Sequence, residues 1–106
     1  YIQQDKFGAQ FAADVAASQS RLDAATQRPI AEAALTEPSG TPAWKSIPSW
    51  HIYGDADKNI PAAAMAFMAQ RAGSRETVVL KGASHVAMVS NPAAVAALIK
   101  RAASAK

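Results

Sequence analysis

The sequence predicts an α/β protein with two strands paired in parallel, and three observations carry that expectation. Strand and helix patterns alternate from Pro48 to the C-terminus. The helical stretches run to about twelve residues, the length a parallel crossover needs. The strand segments, P-S-W-H-I-Y at Pro48–Tyr53 and E-T-V-V-L at Glu76–Leu80, are rich in aromatic and β-branched residues. Parallel sheets are covered on both faces and usually contain several strands. The pair is therefore expected to belong to a larger sheet, and these 106 residues to be the C-terminal portion of a longer polypeptide. The start at Tyr1, inside a helical pattern, points the same way.

The elements follow in order. Phe7, Phe11 and Val15 recur every four residues and predict one helix face, with Ala12 in the same stripe. A second helix is expected to run through Leu22 to Thr26, and Pro29 to open a short third through Ile30, Ala34 and Leu35. E-P-S-G-T-P, from Glu37 to Pro42, is a linker. These helices are short and poor in large side chains, so residues 1–42 read as an accessory layer leaning on another body. Residues 43–106 are the core portion. Gly54 ends the first strand. Pro61 opens a helix whose Ala64, Phe67, Met68 and Arg71 share a face, and Gly73 ends it. Asn91 and Pro92 are an N-cap and N1 pair, and Val95, Leu98, Ile99 and Ala102 give the i, i+3, i+4, i+7 face of the last helix. Lys100 and Arg101 suit the dipole at its C-terminus.

Composition removes several function classes. There is no cysteine, which excludes a disulfide scaffold, a thiolate nucleophile and cysteine-ligated metal. Two histidines, His51 and His85, disfavour a histidine-built metal site, and no cofactor is expected. The net charge of +3 is scattered from Lys6 to Lys106 without the dense basic stripe that nucleic acid requires. No apolar run approaches the roughly 20 residues that span a bilayer. The compartment stays open.

The chemistry gathers on two loops. One is G-D-A-D-K-N-I-P, Gly54 to Pro61; the other is K-G-A-S-H-V-A-M-V-S-N-P, Lys81 to Pro92. A right-handed strand–helix–strand unit brings both to one carboxyl edge of the sheet, where open α/β sheets place their sites. Neighbouring strands lie about 4.8 Å apart, which brings Asp57 and His85 within hydrogen-bonding reach. An aspartate there holds one imidazole nitrogen as a donor and frees the other to act as a base. Asp55 is expected to be a turn residue, His51 a packed or edge histidine, and Trp44 and Trp50 packing residues. Phe7 and Phe11 face either the core or an acyl pocket.

Here the sequence resembles the α/β-hydrolases, in particular small bacterial esterase-like members with a helical cap. The similarity is carried by F-A-A-D-V (11–15), A-W-K-S-I-P-S-W (43–50), D-K-N-I-P (57–61), F-M-A-Q-R-A-G (67–73) and S-H-V-A-M-V-S-N-P (84–92). By that resemblance residues 1–42 are a cap segment with its linker, and residues 43–106 carry the acid and histidine loops. The family's acid lies three residues after the strand-ending glycine, which selects Asp57 over Asp55, and its histidine follows the last strand, which selects His85. The order acid then histidine matches the family's Ser…Asp…His arrangement. The implied activity is hydrolysis of a small carboxylic ester or related acyl compound. Related hydroxynitrile lyases carry a lysine directly after the histidine; Val86 stands there, which disfavours lyase chemistry.

The departure is the nucleophile. No G-x-S-x-G occurs, and Ser84, adjacent to His85 on a tight turn, does not reach attack geometry. The serine is expected from an N-terminal part of the same fold, so these residues alone are expected to be inactive. The alternatives are a hydrolase-fold binding protein without turnover, or a dehalogenase or epoxide-hydrolase relative if the missing nucleophile is an aspartate.

Overall fold

The computed structural model describes residues 1–105. Helices α1 (Gln4–Phe11), α2 (Ala17–Ala25) and the single turn α3 (Ala33–Thr36) come first. A 3₁₀ turn at Ala43–Lys45 leads into β1 (Trp50–Gly54), α4 (Ala62–Arg71) and β2 (Glu76–Leu80), then α5 (Ala87–Ser90) and α6 (Pro92–Ser104). The class is α/β, as expected, and the two strands pair in parallel from Trp50 opposite Glu76 to Gly54 opposite Leu80. β1 begins two residues later than the sequence suggests. Pro48 has no N–H to give a ladder, and pairing is anticipated only at Ser49, whose carbonyl accepts from the Arg75 N–H at 2.9 Å.

The strand period of two decides which helix covers which face. Tyr53 lines a depression with Ala66 and Ala69 of α4, while Trp50 and Ile52 line an apolar groove with Val95, Leu98 and Ile99 of α6. Tyr53, Ala69 and Leu98 are buried. β2 is less well covered, with Val79 half exposed. Gly73 ends α4 as expected, at φ +61°. Its N–H reaches the Gln70 carbonyl while that of Ser74 reaches Ala69, a paired C-terminal cap that a left-handed glycine permits.

Several expectations are corrected. Val15 is not on a helix with Phe7 and Phe11: α1 stops at Phe11, Ala12 leaves helical geometry, and a turn follows. The stripe nevertheless marks one cluster, because Phe11 and Val15 pack against the buried Phe7, Ala12 and Ala24. A close crossing with α2 replaces helix continuity, since a Cβ on Gly8 would stand 2.9 Å from Ser20 Oγ. Pro29 and Ile30 lie before α3, not in it. Ile30 and Leu35 are exposed, so no burial supports more than one turn. Phe67 and Ile99, on the shared faces of their helices, are also exposed; Phe67 shares the Arg71 guanidinium with Trp44, at 5.5 and 5.6 Å. The loop after β2 contains an extra helical turn, α5. Asn91 and Pro92 do start α6, but the Asn91 amide donates to Ser90 Oγ rather than capping the helix.

Arg101 lies in the last turn of α6, where its charge suits the dipole, and it has a second partner. Its guanidinium grips both oxygens of Glu76, the first residue of β2, and each partner's charged form is stabilised accordingly. The pair is solvent-exposed, where ion pairs contribute little. Glu76→Gln is therefore expected to leave the thermal unfolding midpoint nearly unchanged, as read by circular dichroism.

Candidate active site

The carboxyl ends of β1 and β2 put the two loops side by side, and backbone contacts lace them together. The Asp55 N–H donates to Leu80 O and the Ala56 N–H to Ala83 O, at 3.1 and 3.2 Å. The Asp55 carboxylate accepts from the Gly82 N–H at 2.6 Å. Asp55 is thus a turn residue with a second job, tying one loop to the other. Gly82 turns the histidine loop at φ +73°, a conformation that favours glycine. Gly54 gives that loop room: a Cβ there would sit 2.9 Å from the Ser84 carbonyl oxygen and closer still to that of Ala83.

Within this frame Asp57 and His85 meet. Asp57 Oδ2 lies 2.8 Å from His85 Nδ1. The other carboxylate oxygen, Oδ1, accepts from the N–H groups of Asn59 and Ile60 at 2.7 and 3.1 Å, an Asx turn that fixes the side chain. The aspartate side chain is 3% exposed and the imidazole 29%, so the acid is sheltered and the ring reachable from solvent. His85 Nε2 makes no hydrogen bond among the described residues. Burial pushes the Asp57 carboxyl up, but the two backbone donors and then His85 outweigh it and hold the pKa below the ordinary value.

The N-terminal helix closes over this pair. The Phe11 ring, at the end of α1, contacts the imidazole with centroids 4.5 Å apart, and the buried Phe7 supports it at 5.1 Å. The acid loop in turn caps α1: Lys58 Nζ donates to Ala9 O at 2.9 Å and Asn59 Nδ2 to Gln10 O at 3.1 Å. A lysine at a helix C-terminus also meets the negative end of the dipole. Beyond α1, Asp14 faces the histidine loop. Burial raises its carboxyl, and the hydroxyls of Ser84 and Ser90 with nearby backbone amides lower it further, leaving it below its usual range. Ser84 Oγ is buried and has no well-formed hydrogen bond among the described residues. Phe11 was readable in sequence only as a core or acyl-pocket residue, and Lys58, Asn59 and Asp14 did not stand out as site residues, because their roles exist only once α1 lies across both loops.

Two measurements follow. Lys58→Met is expected to speed amide exchange over residues 4–12 about two- to fivefold, the worth of one helix-terminal charge, by hydrogen–deuterium exchange. Asp57 and Asp14 both have folded-state pKa values below their unfolded ones. The stability they supply is complete above the unfolded value, near 4, and is lost as pH falls through the folded values. The thermal midpoint is expected to drop below about pH 4, and Asp57→Asn to flatten part of that drop.

His51 lies on β1 opposite Thr77, away from both loops and half-buried, and its Nδ1 has no hydrogen-bond partner among the described residues. Trp50 packs under the Arg75 guanidinium at 5.5 Å. No group of three or more metal-ligating side chains occurs among the described residues. No helix is long and apolar enough to cross a membrane among the described residues. Compared with known proteins, residues 2–98 match the model of the alpha/beta hydrolase family. A search of curated proteins returned no match.

Proposed function

This chain belongs to the alpha/beta hydrolase family, and we propose that it carries the acid and base of a serine-type hydrolase acting on a carboxylic ester or related acyl compound. One observation carries the reading: an imidazole held at 2.8 Å by a sheltered carboxylate, with no hydrogen bond to its second nitrogen among the described residues. With Nδ1–H donated to Asp57, His85 presents a lone pair at Nε2. That nitrogen takes the proton of a serine hydroxyl as its oxygen attacks the acyl carbon, and Asp57 stabilises the imidazolium. The imidazolium then gives the proton to the alcohol oxygen as the carbon–oxygen bond breaks and its electron pair stays on oxygen. Water, deprotonated by the same nitrogen, cleaves the acyl-enzyme to acid and free serine.

In this reading the serine and oxyanion donors come from polypeptide outside these 106 residues, which contain no G-x-S-x-G. Ser84 is only 2% exposed, which suits a structural role. The half-exposed Val79 and the exposed Ile99 fit a sheet that continues beyond these two strands. The test joins the complete polypeptide to a short-chain aryl ester and a fluorophosphonate probe. Hydrolysis is expected, with one serine outside these residues labelled and labelling abolished by His85→Ala. Undiminished hydrolysis in His85→Ala overturns the assignment, and a covalent intermediate on an aspartate points to dehalogenase or epoxide-hydrolase chemistry instead.

A further inference from the structure

We propose that Phe11 forms the wall of the alcohol side of this site and selects esters whose departing alcohol carries an apolar group; the proposal rests on the serine-hydrolase reading above. Phe11 is held firmly for such a role. Its ring contacts the imidazole on one side and the buried Phe7 on another. The end of α1 that bears it is fastened to the acid loop by Lys58 and Asn59. The aromatic ring therefore keeps its place relative to Asp57 and His85, while its half-buried state leaves part of its surface open to a ligand.

The chemistry decides which end of the substrate meets that surface. When the acyl carbon–oxygen bond breaks, the electron pair goes to the alcohol oxygen, and that oxygen takes its proton from His85 Nε2. It must then lie within about 3 Å of that nitrogen. The carbons attached to the oxygen are consequently the part of the substrate closest to the imidazole, which the Phe11 ring borders with centroids 4.5 Å apart. The acyl chain extends from the other end of the breaking bond. An apolar alcohol gains by covering the phenyl face, whereas a small one leaves that face in water.

The experiment uses the complete polypeptide and compares kcat/KM for benzyl acetate with ethyl acetate, an alcohol-side pair, and for ethyl butyrate with ethyl acetate, an acyl-side pair. Each ratio is internal to one preparation and does not depend on the fraction of enzyme that folds. Phe11→Ala is expected to lower the benzyl-to-ethyl ratio roughly tenfold and to leave the butyrate-to-acetate ratio unchanged. Phe11→Leu, which keeps an apolar wall without the ring, is expected to fall between. An unchanged alcohol-side ratio overturns the proposal, as does a change confined to the acyl side, while hydrolysis that still depends on His85 leaves the catalytic reading standing. Absence of His85-dependent hydrolysis in the parent protein overturns both.

Discussion

Replacing His85 by alanine in the complete polypeptide is expected to lower kcat on a short-chain ester about 10⁴-fold or more, with KM little changed. The loss falls on kcat because the imidazole moves a proton only in the transition state and adds little to ground-state binding. Asp57 separates two effects that an alanine variant would mix. Asp57→Asn keeps an Oδ1 acceptor for the Asn59 and Ile60 N–H groups, so the Asx turn and the loop survive. It removes the negative charge and allows the amide to donate to Nδ1, which favours the wrong tautomer. A drop of about 10⁴-fold in kcat is expected, with a modest fall in the melting midpoint for the lost carboxylate charge. Asp57→Ala is expected to add a stability loss, since two backbone N–H groups lose their acceptor. Stopped-flow or steady-state kinetics beside calorimetry on the same samples reads both. An Asp57→Asn variant with full activity would show that the short contact with His85 is structural only.

The second large effect is expected at a residue with no side chain. Gly54 has the backbone of Ala83 and Ser84 lying across its Cα, and a Cβ there meets carbonyl groups rather than a flexible side-chain tip. Relief requires the histidine loop to move off the end of β1. Gly54→Ala is expected to cost about 3 kcal/mol of stability and to displace His85 from Asp57, so that activity falls beyond what the lost folding explains. Gly40→Ala is the control. Nothing stands within 4 Å of a Cβ at Gly40, and its change in stability is expected within about 0.5 kcal/mol. Urea unfolding of both variants makes the comparison. Equal stabilities for the two would mean the loops are not packed as closely as the contacts at Gly54 imply.

Much of the core portion and the candidate pair was legible in one dimension because the signals are local. A short run of β-branched residues marks Glu76–Leu80 as a strand, and the match with the structure is complete there. Glycine at Gly54 and Gly73 and proline at Pro61 punctuate the elements for backbone reasons that need no neighbour. Once two strands are joined by one helix, their following loops share an edge, and that topology alone brings residue 57 beside residue 85.

What the chain's neighbours in space decide is another matter. A four-residue spacing cannot tell a helix that continues to Val15 from one that stops at Phe11 and folds back, since both place the same apolar groups on one cluster. Helical spacing likewise treats Phe67 and Leu98 alike, although only Leu98 has an element packed against it. Arg101 is readable in sequence only as a charge at its own helix end, and only the folded chain adds its ion pair with Glu76. The docking of α1 is the largest such decision. Phe11 on the imidazole, Lys58 and Asn59 on the helix end, and Asp14 beside the histidine loop join residues up to 76 positions apart. Periodicity and turn chemistry act over a few bonds, so sequence determined the alternation of elements and the acid–histidine spacing. Contacts between distant segments depend on how layers settle against one another, and only the tertiary structure determined what surrounds that pair.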